Sequence, residues 1–509
     1  MSISKIYSTQ FDILNSFIVE IESDIAKKGL LKTFKIVGLP DKATDEAKER
    51  VPSAIANSGF DSPRQYKVTV SLSPAFKKKE GSIFDLPIAL GFLLASEQIN
   101  FNFQNKIFIG ELSLNGDVKK IKGVLPMVNC AKKQGFTSVY LPEENKQEAS
   151  YIEGINIFPI KNLKQLAQHL EQENKEQKDL TKIIKPFVRK KEPQNQNHQQ
   201  IQKNDFCYII NQDTAKRALE IGAAGGHNTA MYGPAGTGKT MLAKSFCTIL
   251  PKLSQKQALE VTEIFSASGI LETDFITQPP FRSPHHTSSY VSIIGGGTNI
   301  KPGEVTLANN GVLFLDEFVE FDKRVLESLR EPLEDGYINI SRAKGSVKFP
   351  ANFILLAALN PPSAVSQNYS LNDLKKFQKK LSGPIIDRID LWTEVQKVKH
   401  KDLSNKKVSG EKSFQIRQRV QKAREIQKER FGKEKLNSQM SVKEINKFVI
   451  FSQTQKELLE KAAEQMNFSP RVFHKIKKIT QTIADLDNNG KIKDEHILEA
   501  LQYRPKDII

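Results

Sequence analysis

The feature of the sequence that most directly indicates chemistry is a glycine-rich segment, GPAGTGKT, at residues 233–240. It follows a short apolar run, NTAMY, and precedes an apolar helical pattern, MLAKSFCTIL. Glycines allow backbone N–H groups to turn inward around phosphates, and the start of the following helix adds its positive end. The segment therefore predicts a loop that binds ATP, with Lys239 on the terminal phosphates and Thr240 on Mg²⁺. Its residues are Gly233, Pro234, Ala235, Gly236, Thr237, Gly238, Lys239 and Thr240.

Two carboxylates at the end of another apolar run predict the rest of a hydrolytic site. The run is GVLFLDE, residues 311–317. Parallel strands deliver the residues that follow them to one edge of a sheet, where nucleotides bind. Asp316 is expected to hold Mg²⁺, and Glu317 is expected to polarise the attacking water. Adjacent Asp and Glu are common, so this prediction depends on the phosphate-binding loop upstream.

An asparagine follows a third apolar run, FILLAALN, which ends at residue 360. An amide at the end of a strand is suited to orienting a water molecule beside the γ-phosphate, so Asn360 is predicted to be the sensing residue. The alternative is a plain turn, because Asn before Pro361-Pro362 is a common turn former.

These residues require elements that position them, and hydrophobic periodicity predicts three such regions. Residues 1–170 alternate apolar strands with helical patterns, which indicates an α/β domain with a hairpin at Asn115-Gly116. Residues 171–204 are rich in Gln, Asn, Lys and Glu and are predicted to be a linker. Residues 205–395 form a second α/β block, with strands at NTAMY, GVLFL and FILLAAL. Residues 396–509 have helical patterns.

Composition indicates a folded protein with basic surfaces. Hydrophobic residues make up 39% and charged residues 26%, as in ordinary globular domains. The net charge is +17, and residues 396–436 hold 14 Lys or Arg against 5 Asp or Glu. A surface of this kind favours polyanions such as DNA. A solvated helix face explains any single basic segment equally well.

The sequence also indicates a cytoplasmic location and argues against membrane spans and zinc sites. Its apolar runs are shorter than the roughly 18 residues of a membrane span, and its first residues lack the apolar run of a secretory signal. A cytoplasmic protein without a membrane partner is expected. Cys130, Cys207 and Cys247 lie far apart, fit no zinc spacing and are predicted to be small buried residues.

Taken in order, these elements resemble the AAA+ ATPases, and longer stretches resemble the magnesium-chelatase-like proteins of the ComM/YifB family. Those stretches are AKRALEIGAAGGHN, FRSPHHTSS, GGGTNIKPGEVTLANNGVLFLDEF, LESLREPLEDGYINISRA, LSGPIIDRIDL, TIADLDNNGKI and HILEALQYRP. The resemblance covers nearly the whole chain. It implies a multidomain α/β fold with a Lon-protease-like N-terminal domain, an AAA+ P-loop α/β/α domain and a C-terminal helical lid. It also implies a homo-oligomeric ring, a hexamer, that acts as a DNA helicase in branch migration during natural transformation.

The resemblance gives roles to two arginines. Arg388 in PIIDRID is similar to the arginine finger that completes the site of the neighbouring subunit in a ring. Arg471 in FSPRVFH is similar to the second sensor, which the helical lid carries against the γ-phosphate. For an isolated arginine, a surface ion pair is the ordinary alternative.

The chain departs from related patterns in several places. Ile88 stands where Lon-type peptidases have their serine nucleophile, so proteolysis is not expected. The segment after Asn360 lacks the cysteines that many relatives have there, so zinc is not expected. Residues 485–490 begin like a calcium loop, but the twelfth position is His496 and not Glu, which indicates a turn. His285 and His286 are interpreted as loop residues, because a third metal ligand is missing at a credible spacing.

A second hairpin is a candidate for contact with DNA. The segment YINISRAKGSVKF, residues 337–349, indicates two short strands around residues 343–345. In related ring motors such a hairpin projects into the central channel, so Lys344, Arg342 and Lys348 are hypothesised to contact phosphates there. A solvent-exposed turn is the alternative.

Two other functions compete with a DNA motor. A magnesium-chelatase motor subunit would drive a metal-insertion partner, but those subunits resemble only the ATPase and lid portions of this chain. An ATP-dependent Lon-like protease would need a serine and lysine dyad, which Ile88 disfavours.

Overall fold

A computed structural model describes residues 2–12, 15–26, 32–174, 183–189, 204–297, 300–342, 345–362, 377, 380–381, 383–398, 410–487 and 490–504. Contacts divide the chain into two compact units. The N-terminal unit comprises residues 1–194 and 259–276, and the C-terminal unit comprises residues 195–258 and 277–509.

The N-terminal unit is a mixed α/β structure. Its strands are β1 (Ser2–Asp12), β2 (Asn15–Ala26), β3 (Thr33–Val37), β4 (Lys67–Ser73), β5 (Lys106–Phe108), β6 (Glu111–Leu112), β7 (Val118–Lys119), β8 (Ser138–Pro142) and β9 (Asn156–Ile160). Its helices are α1 (Lys42–Asp45), α2 (Ala47–Asn57), α3 (Asp85–Ala95), α4 (Val124–Lys133), α5 (Lys146–Ala149) and α6 (Leu163–Asn174). In the described residues, one sheet has the order β1-β2-β4-β3, β5-β8-β9 form a parallel sheet, and β6 and β7 form a hairpin.

The core of this unit is formed by elements with two kinds of apolar pattern, alternating in β4 and continuous in α3. In β4, KVTVSLS buries every second residue, as expected for a strand with one covered face. Helix α3 is apolar on nearly all sides, and the buried residues of the unit's main core include its side chains. Ile88 lies in this helix and is fully buried.

The C-terminal unit combines a parallel sheet with many helices. Its strands are β10 (Thr229–Tyr232), β11 (Phe281–Arg282), β12 (Gly295–Gly296), β13 (Lys301–Pro302), β14 (Val312–Leu315), β15 (Tyr337–Arg342), β16 (Gly345–Pro350), β17 (Ile354–Leu359) and β18 (Leu391–Glu394). Its helices up to the last strand are α7 (Asp213–Gly225), α8 (Lys239–Ile249), α9 (Gln255–Ser268, which continues into the other unit), α10 (Tyr290–Ile294), α11 (Glu304–Leu307), α12 (Lys323–Ser328), α13 (Arg330–Asp335) and α14 (Gly383–Ile386). The helices after it are α15 (Ser413–Phe431), α16 (Val442–Phe448), α17 (Gln453–Gln465), α18 (Pro470–Leu486) and α19 (Asp494–Gln502).

The main sheet of this unit has the order β11-β14-β17-β10-β18, and all its neighbouring strands are parallel. Every residue of β14 and of β17 is buried, which is the pattern of central strands covered on both faces. Because the strands are parallel, the residues after β10, β14 and β17 lie at one edge of the sheet.

The helices after β18 share one hydrophobic core with the sheet. Phe246 of α8 and Phe314 of β14 belong to the same buried cluster as Val472, Ile476 and Ile483 of α18. The last three recur at helical spacing, so α18 presents one apolar face to that core. The helical region therefore belongs to the C-terminal unit and is not a separate compact body.

The structure confirms the α/β class and most of the strands that the sequence predicts. The runs NTAMY, GVLFL and FILLAAL form β10, β14 and β17, and both predicted hairpins form as β6–β7 and β15–β16. Two parts of the predicted linker, residues 171–204, belong to the folded N-terminal unit. Helix α6 continues to Asn174, and Ile184 is buried in the N-terminal core. Among the residues described, helices long and apolar enough to span a membrane are absent. The predicted boundaries at 170, 204 and 395 stay predictions.

Candidate ATP and magnesium site

The loop of residues 233–240 connects β10 to α8 at the carboxyl edge of the main sheet. The backbone N–H of Gly233 donates to Leu359 O at 3.2 Å, which ties the loop to the neighbouring strand β17. A Cβ atom at Gly233 would lie 2.2 Å from Val395 O, so only glycine fits this close approach. Gly238 has φ of +94° immediately before α8, a conformation that L side chains rarely adopt.

Lys239 is the first residue of α8, and its ammonium group lies inside the loop. Lys239 Nζ donates to Gly233 O at 2.9 Å and to Pro234 O at 2.7 Å, and it lies 3.4 Å from Thr237 Oγ1. The residue is 6% exposed. Burial lowers the pKa of Lys239, while the charge of Asp316 acts to raise it. Two carbonyl oxygens of the loop therefore hold the Lys239 ammonium group within it.

Thr240 and Asp316 meet although 76 positions separate them along the chain. Thr240 Oγ1 donates to Asp316 Oδ2 at 2.7 Å, and Asp316 Oδ1 accepts the backbone N–H of Glu317 at 3.0 Å. A hydroxyl and a carboxylate are the oxygen ligands that Mg²⁺ accepts. Within the described residues, clusters of three or more His, Cys, Asp or Glu that could hold a metal are absent. Thr240 Oγ1 and Asp316 Oδ2 lie together and fit Mg²⁺, because this ion takes few protein oxygens and keeps water and phosphate oxygens.

Glu317 has a left-handed backbone and a partner that the sequence did not reveal. Its φ is +51°, and its side chain is 49% exposed. Glu317 Oε2 lies 3.0 Å from His286 Nδ1. The contact places an imidazole nitrogen within ion-pair distance of the carboxylate. His286 follows β11, which pairs with β14, and this adjacency explains how the FRSPHHTSS segment reaches the carboxylate.

Asn360 follows β17, the strand between β14 and β10. Its Oδ1 atom is buried and has no hydrogen-bond partner among the residues described. An unpaired acceptor at this edge of the sheet is suited to a water molecule or a ligand. The geometry agrees with the predicted sensing role, which stays a prediction.

Arg388 and Arg471 lie together on one carboxylate. Arg388 Nη2 donates to Glu334 Oε2, and Arg471 Nη2 lies 3.3 Å from Glu334 Oε1. All three residues line a cavity of about 730 Å³ in the C-terminal unit. Residues 233–240, Asp316 and Glu317 are not among the residues that line it. The structure thus brings the loop and the carboxylates together in one place and the two arginines in another.

The hairpin β15–β16 has one buried face and one exposed face. Ile338 pairs with Phe349 on the buried face, and Asn339 pairs with Lys348 on the exposed face. Lys348 Nζ lies 3.3 Å from the centre of the Tyr337 ring. Lys344 lies outside the described residues, and Arg342 ends β15.

The structure also shows the surroundings of the calcium-like segment and of the cysteines. Asp485 of the calcium-like segment lies buried in α18 and accepts hydrogen bonds from Arg430 and Asn437, which leaves it unsuited to calcium. Residues 488–489 of that segment lie outside the described residues. The cysteines are free thiols, of which Cys207 is buried and Cys130 and Cys247 are partly exposed.

Comparison with known proteins agrees with this geometry. Sequence models of three protein families match the chain: Magnesium chelatase, subunit ChlI at residues 205–403, Subunit ChlI of Mg-chelatase at 21–145, and its ChlI C-terminal region at 410–504. Competence protein ComM of Haemophilus influenzae is 39% identical over 513 residues, which cover 99% of this chain and 98% of that protein. The chain belongs to the magnesium-chelatase-like AAA+ proteins of the ComM/YifB family. YifB of Escherichia coli is 36% identical over 519 residues, which cover 100% of this chain and 98% of that protein.

A chelatase subunit matches a smaller part of the chain. Magnesium-chelatase subunit ChlI of Trieres chinensis is 25% identical over 236 residues, which cover 41% of this chain and 62% of that protein. Membership in this AAA+ family makes the chain an ATPase by class, and members of the family generally use ATP and Mg²⁺.

Proposed function

We propose that this chain forms an ATP-driven ring motor that moves along DNA and promotes branch migration of recombination intermediates during natural transformation. The observation that carries the proposal is the 2.7 Å contact between Thr240 and Asp316. It joins the phosphate-binding loop to the carboxylates, which is the arrangement that hydrolysis of a nucleoside triphosphate needs.

Each residue at this edge of the sheet has a part in hydrolysis. The loop backbone and Lys239 bind the phosphates, and Thr240 and Asp316 hold Mg²⁺. When bound, Mg²⁺ neutralises the charge that develops on the phosphate oxygens. Glu317 polarises the attacking water, and the unpaired Oδ1 of Asn360 orients it.

The two arginines act on the nucleotide of the neighbouring subunit. Arg388 is similar to an arginine finger, which by its nature serves the next site in a ring. Because Glu334 binds Arg388 and Arg471 together, we assign both to the same nucleotide. A finger contributes roughly 10³- to 10⁵-fold to the rate in other NTPases.

The net charge, the hairpin β15–β16 and the similar proteins support DNA as the polymer on which the motor acts. The net charge of +17 favours a polyanion. Lys344, with Arg342 and Lys348 on the two strands, is proposed to contact DNA phosphates in the channel of the ring, a hexamer. The name of the similar Competence protein ComM supports a place in natural transformation.

A magnesium-chelatase motor subunit is the alternative, because the matching family models describe chelatase subunits. The alignment with ComM over 99% of the chain, against 41% for the chelatase subunit of Trieres chinensis, favours the DNA motor. A Lon-like protease is disfavoured because Ile88 is fully buried and has no nucleophilic atom.

The test is the rate of ATP hydrolysis without DNA and with single strands, duplex and a four-way junction, each at two salt concentrations. We expect stimulation by DNA, largest with the junction and weaker at high salt, because phosphate contacts release counterions. An equal rate under all DNA conditions would favour the chelatase-type function.

A further inference from the structure

Glu334 has no assigned part in hydrolysis, but its carboxylate contacts both arginines that are assigned to the reaction. We infer that Glu334 is a positioning residue that competes with the neighbouring subunit's nucleotide for Arg388 and Arg471, and that movement of the hairpin releases them. This inference rests on the proposed function, and it adds the contact by which the DNA-binding hairpin would control hydrolysis.

Each of the three guanidinium nitrogens of Arg388 donates one hydrogen bond. Nε donates to Arg330 O at 3.1 Å, Nη1 donates to Pro384 O at 2.7 Å, and Nη2 donates to Glu334. The Arg388 side chain is 12% exposed. A phosphate competes with the Glu334 carboxylate for the N–H that Nη2 donates, because both are anions that accept from a guanidinium. In this inference, Arg388 turns from Glu334 to the phosphate of the neighbouring subunit.

The helix that carries Arg471 is tied to the segment of Arg388. Arg471 and Lys475 lie one turn apart on α18. Lys475 Nζ donates to Ile389 O at 2.9 Å and lies 2.8 Å from Asp390 Oδ1, and both partners directly follow Arg388. The Lys475 and Asp390 side chains are each 12% exposed. This buried pair joins the two arginines, whereas Glu334 is their more exposed partner, with a side chain that is 51% exposed.

Exposure makes Glu334 suited to a reversible contact. Half of the Glu334 side chain is open to solvent, which weakens its ion pairs relative to fully buried ones, so a phosphate can compete with it for the arginines. Partial burial acts to raise the pKa of Glu334, but Arg471 and Arg388 outweigh it and lower the pKa below its ordinary value. The carboxylate is therefore ionised at neutral pH and attracts both arginines.

The helix that carries Glu334 leads directly into the hairpin. Helix α13 ends at Asp335, Gly336 turns the chain, and β15 begins at Tyr337. One turn earlier on the same helix, Glu331 Oε1 accepts Asn339 Nδ2 at 2.7 Å, which ties α13 to the exposed face of β15. A displacement of the hairpin by DNA therefore moves Glu334 relative to the arginines.

The experiment compares Glu334→Gln with Asp335→Asn in the full-length protein. Glutamine keeps the size of the side chain and removes the charge that attracts the arginines. Asp335 is the next carboxylate of the same helix and serves as the matched control. kcat and KM for ATP are measured with and without a four-way junction, and thermal melting checks the fold.

We expect Glu334→Gln to raise kcat without DNA by roughly two- to fivefold, the scale of one exposed ion pair, with an unchanged KM. Stimulation by DNA should fall towards one, and Asp335→Asn should match the parent protein. A merely structural role predicts a lower melting temperature and a lower kcat, so a rise in kcat separates the two. An unchanged or lower kcat without DNA in a folded Glu334→Gln protein would overturn the inference. Failure of the proposed function is distinguishable, because the parent protein itself would then lack DNA-stimulated hydrolysis.

Discussion

Single side chains at the carboxyl edge of the main sheet account for the proposed hydrolysis. Lys239 is buried in its own loop, and Thr240 reaches Asp316 across 76 positions of sequence. Local sequence was sufficient to find the loop, because the residue types that define it all lie within the eight positions 233–240. It was not sufficient for His286, whose contact with Glu317 depends on the pairing of β11 with β14.

Lys239→Ala is expected to abolish ATP hydrolysis, because the phosphates lose the ammonium group that the loop surrounds. The loss should be at least about 10²-fold, the scale of removing one buried donor to a transition state. Lys244→Ala, on the exposed side of α8, is the matched control. The measurement is phosphate release by purified protein, and retained turnover in Lys239→Ala would refute the site.

His286→Ala is expected to lower kcat by about tenfold, because Glu317 loses the donor that fixes its carboxylate. KM should stay near the parent value, because the phosphate contacts of the loop are unchanged. His286→Asn places an amide N–H near the position of Nδ1 and should recover much of the rate. Equal rates for the Ala variant and the parent protein would show that the contact has no part in catalysis.

At the scale of elements, the hairpin β15–β16 shows what periodicity predicts well. Alternating residues predicted two strands, and the structure confirms them with Ile338 and Phe349 buried and Lys348 exposed. The segment 183–189 shows the opposite case. Its polar surroundings predicted a linker, but Ile184 packs into the N-terminal core and Phe187 N donates to Ile157 O at 2.7 Å. The segment holds four apolar residues, Ile183, Ile184, Phe187 and Val188, but so short a run within a long polar stretch has no periodicity that indicates packing.

Lys344→Ala is expected to reduce DNA-stimulated hydrolysis. It should also reduce the magnitude of the slope of log binding constant against log salt concentration by about one, the effect of one lost phosphate contact. Lys344→Arg keeps the charge and should behave like the parent protein. Binding of a fluorescent single strand at several salt concentrations measures the slope. Full DNA stimulation and an unchanged slope in Lys344→Ala would remove the hairpin from the DNA path.

At the scale of the whole molecule, the proposed roles of the two arginines would require a second copy of the chain. Arg388 and Arg471 lie on Glu334, in a cavity that the loop residues 233–240 do not line. We therefore expect hydrolysis to depend on assembly, with each subunit completing the site of the next.

Glu317→Gln is expected to bind ATP and to stabilise the assembled ring while hydrolysis falls by about 10²- to 10⁴-fold, the usual contribution of a general base. The loop and Mg²⁺ ligands remain, so nucleotide stays bound between subunits. Light scattering with ATP and Mg²⁺ measures the mass, and Lys239→Ala, which cannot hold the phosphates, is the control. Glu317→Gln that remains a monomer with saturating ATP would contradict this arrangement.

The sequence by itself determined the glycine-rich loop, the order of the strands along the chain and the positions of Asp316, Glu317 and Asn360 directly after strands, whose chemical roles stay predictions. Those features depend on residues close in sequence, where backbone geometry and periodicity fix the outcome. Only the tertiary structure decided which distant segments meet, including His286 with Glu317 and Glu334 with both arginines. The physical reason is that such contacts depend on the order of strands in the sheet and on the packing of α18 against it, and neither is a property of any local stretch.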